Sequence, residues 1–186
     1  MRRNIIWDLE GTLIDSTYNP VSHPEAELVL KRPRADFYGV FLWTLAPAVK
    51  AIRILTEKSW MTYFNIVIGT EEKNGIQRGA IWINKKGQMI KKERAIPKER
   101  HITKDMRALG NPIEYVLIDD IMRPTSEQVR VICDIYGLAT PNLNGLDEIK
   151  NGCPTERVIH IESYRTGINP HCPPLIQAYE QALKRF

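Results

Sequence analysis

Four acidic side chains in two distant places along the chain, Asp8 and Glu10, and Asp119 and Asp120, could together handle a phosphate ester, with the hydroxyl of Thr44 as a fifth group. Asp8 and Glu10 flank one residue in Asp8-Leu9-Glu10-Gly11-Thr12, and Asp119 and Asp120 are adjacent. Carboxylates gathered in one place repel and raise one another's pKa unless a cation sits among them. Mg²⁺ suits that place, because it prefers oxygen ligands and keeps waters and a substrate phosphate in its shell. A carboxylate beside such an ion can attack phosphorus and form an aspartyl-phosphate. A lysine, a hydroxyl and backbone N–H groups would then neutralise charge on the phosphoryl oxygens.

Taken singly, each group has an ordinary explanation. Asp8 to Thr12 is a turn with solvated acids, and Thr44 is a hydroxyl satisfying backbone at a strand end. Lys104 and Asp105 are a solvated helix face, and Asp119-Asp120 caps a turn. Their joint meaning depends on the elements that carry them.

Ile5-Ile6-Trp7 makes Arg3 to Trp7 a buried strand ending at Asp8. Residues 25–30 form a short strand or a turn of helix, and Phe37 to Phe41 a small helix before the strand Val40-Phe41-Leu42-Trp43 delivers Thr44. Ala46 to Glu57 reads as a helix with Val49, Ile52 and Leu55 on one face. Phe64 to Ile68 is a further strand. Ile81 to Ile83 and Met89-Ile90 flank Asn84-Lys85-Lys86-Gly87 as a β-hairpin within an insertion over about 76–95.

Thr103 to Leu109 reads as a helix capped by Thr103 and stopped by Gly110. Tyr115 to Ile118 is a buried strand running into Asp119-Asp120. Thr125 opens a helix, Ser126 to Tyr136, and Gly137 closes it. Arg157 to Ile161 is a last strand, and Pro174 to Phe186 a last amphipathic helix. Short apolar strands alternating with helices imply a mostly parallel sheet covered on both faces, a three-layer α/β sandwich. Ligands in such sheets sit beyond the carboxyl ends of the strands, where strand order switches. Asp8, Thr44 and Asp119-Asp120 all fall at strand ends.

Composition is that of a globular protein: 186 residues, 43% hydrophobic, 26% charged, read as one domain over 1–186. No apolar run is long enough to cross a membrane, and the run behind Arg2-Arg3 ends at Asp8, too short for a signal peptide. A cytoplasmic protein is expected. Cys133, Cys153 and Cys172 read as free thiols, and His23, His101, His160 and His171 receive no role. The net charge of +4 is concentrated between Lys85 and Arg100. That stretch is a solvated face or a landing surface for an acidic partner.

Asp8-Leu9-Glu10-Gly11-Thr12-Leu13 resembles the first motif, D-x-D-G-T, of the haloacid dehalogenase superfamily. Thr44 is similar to its second motif and Asp119-Asp120 to its fourth. Closer still is the small carboxy-terminal-domain phosphatase (NLI-interacting-factor-like) branch. Its K-R-P-x-x-x-x-F stretch is echoed, one residue shorter, by Lys31-Arg32-Pro33-Arg34-Ala35-Asp36-Phe37, and its V-K-D-L-x-x-L-G motif by Thr103 to Gly110.

The resemblance implies a Rossmann-like sheet with minimal cap and a Mg²⁺-dependent phosphatase acting on phosphoproteins. Asp8 would be nucleophile and metal ligand. Glu10 would offer its carbonyl to the metal and its side chain as general acid and base. Thr44 and Lys104 would hold the phosphoryl group, Asp120 would ligate the metal, and Asp119 would orient Lys104 or the metal's waters.

One residue departs from the pattern: the family has Asp where Glu10 stands. The added methylene moves the carboxyl by about 1.5 Å, and errors near 1 Å can cost ~10²-fold in rate. A slower enzyme, one adapted to another leaving group, or one that accumulates phospho-Asp8 would each follow. Activity is expected, because Glu keeps the proton-transfer function.

The interval from Asp8 to Thr44 is too short for the lid domain of larger relatives. An open site favours a phosphate on a macromolecule. Phospho-Tyr and phospho-Ser/Thr both remain open, with Trp43, Trp82, Tyr18 and Tyr38 available to pack a ring or to serve as core. Some bacterial effectors resembling the family are tyrosine phosphatases, so delivery into a host cell also stays open. The rivals are a nucleic-acid-end or small-molecule phosphatase, and a phospho-binding module impaired by Glu10.

Overall fold

The computed structural model describes residues 3–73, 76–90, 104, 106–120, 157–168 and 174–186. Strands β1 (Asn4–Trp7), β2 (Gly39–Pro47), β3 (Ile66–Lys73), β4 (Ile76–Asn84), β5 (Tyr115–Asp119) and β6 (Val158–His160) form one sheet in the order β4-β3-β2-β1-β5-β6. All pairings are parallel except β3 with β4. The chain therefore leaves β1 towards β2 and β3, then returns to β5 on its other side. The carboxyl end of β1 is where strand order switches, the place such sheets offer to ligands.

Side chains alternate between the two faces, as a period of two demands. Ile5, Trp7, Val40, Leu42, Val67, Val116 and Ile118 point to one cluster. Ile6, Trp43, Ile68, Leu117 and Tyr115 point to the other. Both faces are buried, which is why these strands read as continuous apolar runs. The first face packs against α1 (Ala26–Lys31), α3 (Ala48–Glu57) and α4 (Leu175–Leu183). The second receives Met106 and Leu109 from a single 3₁₀ turn, Met106–Leu109, together with Ala80 and Trp82 of β4. Among the described residues, then, the α-helices cover one face. The expected helix Ser126–Tyr136, with its Thr125 cap, lies outside them.

Residues 26–31 are helical, one of the two readings open for 25–30. Several other expectations need correction. The next helix, α2, is Pro33–Asp36 rather than Phe37–Phe41, because proline suits a first helical turn. In α3 the buried face is Ala48, Ala51, Ile54 and Leu55, while Val49 is 78% exposed. The stretch Thr103–Leu109 contributes the 3₁₀ turn and not an α-helix, and Thr103 and Asp105 lie outside the described residues.

The expected hairpin turn at Asn84 to Gly87 forms, with Gly87 N donating to Asn84 O at 2.9 Å. Its strand, however, is β4, which runs along β3 as the sheet's edge from Ile66↔Asn84 to Lys73↔Ile76. Asn84 therefore lies at the end of the sheet opposite Asp8. There a cavity of about 300 Å³ is lined by Tyr38, Asn65 and Lys85 among others.

Truncating the true inner face of α3 should cost far more than truncating the misassigned one. Chemical denaturation of Ile54→Ala is expected to show a loss of about 2–5 kcal/mol, and Val49→Ala a change within about 0.5 kcal/mol.

Candidate active site

Parallel register brings the predicted acids together. Trp7 stands beside Leu42 on one side and Ile118 on the other, so Asp8, the next residue, lies level with Asp119. Asp8 N donates to Ile118 O at 3.0 Å and fixes that level. Asp8 shares the parity of Ile6, and Asp119 that of Leu117, so both carboxyls belong to the face on which Met106 packs. Met106 is fully buried. It anchors the segment that swings Lys104 over them.

Lys104 Nζ donates to Asp8 Oδ1 and to Asp119 Oδ2, each at 2.6 Å, with all three side chains at most 5% exposed. Its backbone has φ +47°, a left-handed conformation that a lysine adopts only where its surroundings impose it.

Three carboxylates face this one ammonium. Asp8, Asp119 and Asp120 each offer an oxygen within 4.8 Å of the others. Among the described residues Asp8 Oδ2 and Asp120 Oδ1 are buried without a hydrogen-bond partner, a costly state for acceptor atoms. Gathered carboxylate oxygens, two of them unpartnered, and an excess of negative charge suit a divalent cation that prefers oxygen ligands. Without one, burial pushes the Asp8 carboxyl up to about 7, against the pull of Lys104 and with Asp119 and Asp120 adding to the rise. Burial also raises Asp120. Burial alone would lower the Lys104 ammonium, but Asp119 and Asp8 outweigh it and raise its pKa.

Gly11 makes the close approach possible. Its φ is +83°, and a Cβ there would sit 2.0 Å from Asp120 Oδ2 and 2.8 Å from Ser163 Oγ. The Ser163 hydroxyl stands beside the Asp120 carboxyl, but short of hydrogen-bond geometry.

Thr44 is 1% exposed and lies in an irregularity of β2, between Trp43 and Pro47, where the register with β3 slips. Thr70 Oγ1 donates to Leu45 O at 2.6 Å and holds the bulge. Thr44 Oγ1 accepts from Ala46 N at 3.1 Å, and an accepting hydroxyl keeps its own proton to give. Bulges commonly re-aim side chains next to sites.

Glu10 is more open to solvent than Asp8 and Asp119. Its side chain is 35% exposed, and the carboxyl accepts a hydrogen bond from Thr17 Oγ1 at 2.9 Å. Trp43 and Trp82 are buried, hence core residues, and Tyr38 is at the far end of the sheet. Tyr18 is exposed and lies beside Thr17, with Lys50 Nζ 3.6 Å from its ring centre. Lys85 and Lys86 stand at the end opposite the acids, and residues 91–100 of the basic stretch lie outside the described residues. So do His101, His171 and all three cysteines. His160 Nε2 lies 2.9 Å from Asp120 O, and His23 is buried against Tyr164.

Sequence reasoning missed Thr17, Ser163 and Arg165. The last two follow β6 on the route by which Ile161 N donates to Asp119 O at 3.0 Å and Tyr164 N to Gly11 O at 2.7 Å. No local signal marks the last two, whose neighbours Gly11 and Asp120 are distant in the chain.

No protein-family model and no curated protein matches this sequence. Among solved structures, a "predicted phosphatase" from Clostridium acetobutylicum is similar over 99% of both chains, at 12% identity and a TM-score of 0.52. An uncharacterised protein from Listeria monocytogenes serotype 4b aligns over 73% of this chain and 75% of its own, at 12% identity and a TM-score of 0.43. The first likeness shows a shared mixed α/β fold built on a mostly parallel, Rossmann-like sheet.

The raised Asp8 pKa has a consequence for stability. A carboxyl with ordinary value 3.8 and folded value about 7 binds its proton more tightly when folded, so stability falls as pH rises through that window. Urea denaturation in chelator should show Asp8→Asn gaining on the parent protein steadily between pH 5 and 7. A constant difference across that range would refute the buried, cation-less carboxyl.

Proposed function

We propose that the chain is a Mg²⁺-dependent phosphomonoester hydrolase that works through an aspartyl-phosphate on Asp8, with a phosphorylated protein as its substrate. The observation that carries the reading is the buried Lys104 bridging Asp8 and Asp119 while one oxygen of Asp8 and one of Asp120 stay unpartnered. Asp8 Oδ2 and Asp120 Oδ1 would hold the ion, with Asp119 and the Glu10 carbonyl completing the protein's share. Mg²⁺ supplies charge neutralisation for the phosphoryl oxygens and keeps Asp8 ionised.

Asp8 Oδ1, the oxygen that Lys104 holds, attacks phosphorus, and the bond to the leaving oxygen breaks as that oxygen takes a proton from Glu10. Glu10, now a carboxylate, takes a proton from water. The water oxygen bonds to phosphorus, the acyl-phosphate bond breaks, and inorganic phosphate leaves with Asp8 restored. Lys104 and the Thr44 hydroxyl offer donors to the phosphoryl oxygens throughout.

The fold shared with a protein described as a predicted phosphatase agrees with this reading. The motif series of the phosphoprotein-specific branch supports the substrate class. So does the segment between Asp8 and β2, whose Leu9, Leu13, Ile14, Ala26, Val29 and Leu30 are all buried in the core and so form no separate lid. A grip on nucleic acid by the basic stretch finds no support in Lys85 and Lys86, which stand at the other end of the sheet.

Hydrolysis of an aryl phosphate should require Mg²⁺ and vanish with chelator. Asp8→Asn should abolish it, and Lys104→Ala should lower kcat by about 10²-fold or more. Normal turnover in a folded Asp8→Asn protein would remove the mechanism. A stoichiometric phosphoenzyme without turnover would instead mark a phospho-binding module.

A further inference from the structure

The longer side chain at position 10 has a two-sided support. Thr17, 3% exposed, donates through Oγ1 to Glu10 Oε2 at 2.9 Å. Arg165 places Nη1 3.9 Å from the other oxygen, Oε1. Arg165 is itself held, since the same Nη1 donates to the Asp15 backbone carbonyl. The neighbouring Thr166 Oγ1 donates to Asp15 Oδ2 at 2.6 Å, and Asp15 Oδ1 accepts from Val21 N at 2.9 Å. On the other side Tyr164 N bonds Gly11 O, and Tyr164 OH reaches Ser22 O at 3.3 Å. The strip 164–166 is thus stitched at several points to the loop 11–22 that follows Glu10.

We propose that Arg165 is a positioning residue which, with Thr17, holds the Glu10 carboxyl where it exchanges a proton with the leaving group. The proposal rests on the hydrolase reading above. Glutamate has one more rotatable bond than aspartate, so its carboxyl sweeps a wider volume, and a single hydrogen bond leaves it free to pivot. A cation on the second oxygen stops the pivot. An ion pair this exposed adds little to stability, so its loss acts on the orientation of Glu10, and a thermal melt of each Arg165 variant checks that losing the bond to Asp15 O leaves the fold intact.

The test compares kcat/KM for phenyl phosphate, whose poor leaving group needs the proton, with that for p-nitrophenyl phosphate, whose good one needs it less. Arg165→Ala should lose about tenfold on phenyl phosphate, a loss at least about fivefold larger than on p-nitrophenyl phosphate. Arg165→Lys should recover most of it. In a Glu10→Gln background Arg165→Ala should add less than about twofold, as expected for residues acting as a unit. Equal losses on both substrates, or full additivity with Glu10→Gln, would overturn the positioning role and make Arg165 a substrate contact. Unchanged kinetics in Arg165→Ala would overturn it as well. A parent protein with no turnover on either ester would fail earlier, at the hydrolase reading itself.

Discussion

A lysine shut between two aspartates is what the rest of this structure serves. Burying an ammonium and two carboxylates costs several kcal/mol per ion unless each finds a partner. Here the pairing is close, and it is also unbalanced, because Asp120 adds a third acid beside the pair. The hydrolase reading builds on that imbalance. A cluster built only for stability would pair every oxygen, whereas this one leaves Asp8 Oδ2 and Asp120 Oδ1 without partners among the described residues.

The sheet provides this arrangement through register more than through any single contact. Parallel pairing of β1 with β5 makes Asp8 and Asp119 neighbours, and the switch in strand order keeps the space beyond them clear of a crossover from β1 itself. The alternation of faces then decides where the lysine must come from. Both acids share the side of the sheet occupied by Met106, so Lys104, two residues earlier, reaches them. The cost is a left-handed backbone at Lys104, paid where a site needs it.

Much of this was legible in the sequence. Ile5-Ile6-Trp7 before Asp8 and Tyr115-Val116-Leu117-Ile118 before Asp119 are apolar runs of strand length, each ending in an acid, and both strands form as read. Lys104 was legible only through its motif, since nothing in its own neighbourhood resembles a left-handed turn, and the helix expected there is a 3₁₀ turn. The face of α3 was misjudged because the larger Val49 and Ile52 were taken as its core, whereas the small Ala48 and Ala51 lie inward with Ile54 and Leu55. The hairpin about Asn84 to Gly87 forms as read, with Ile83 opposite Met89, while the pairing of β4 with β3 is a long antiparallel register that no local signal reports. Arg165 and Ser163 escaped notice for the same reason. Their neighbours Gly11, Asp120 and Asp15 are far away in the chain, and only the sheet brings them close.

Diffraction at the manganese edge from crystals grown with Mn²⁺ tests the central claim most directly. The account predicts one anomalous peak with Asp8 Oδ2 and Asp120 Oδ1 in its shell, and Lys104 still spanning Asp8 and Asp119. A cluster that stays free of metal at saturating Mn²⁺, or an ion bound only elsewhere, would contradict it.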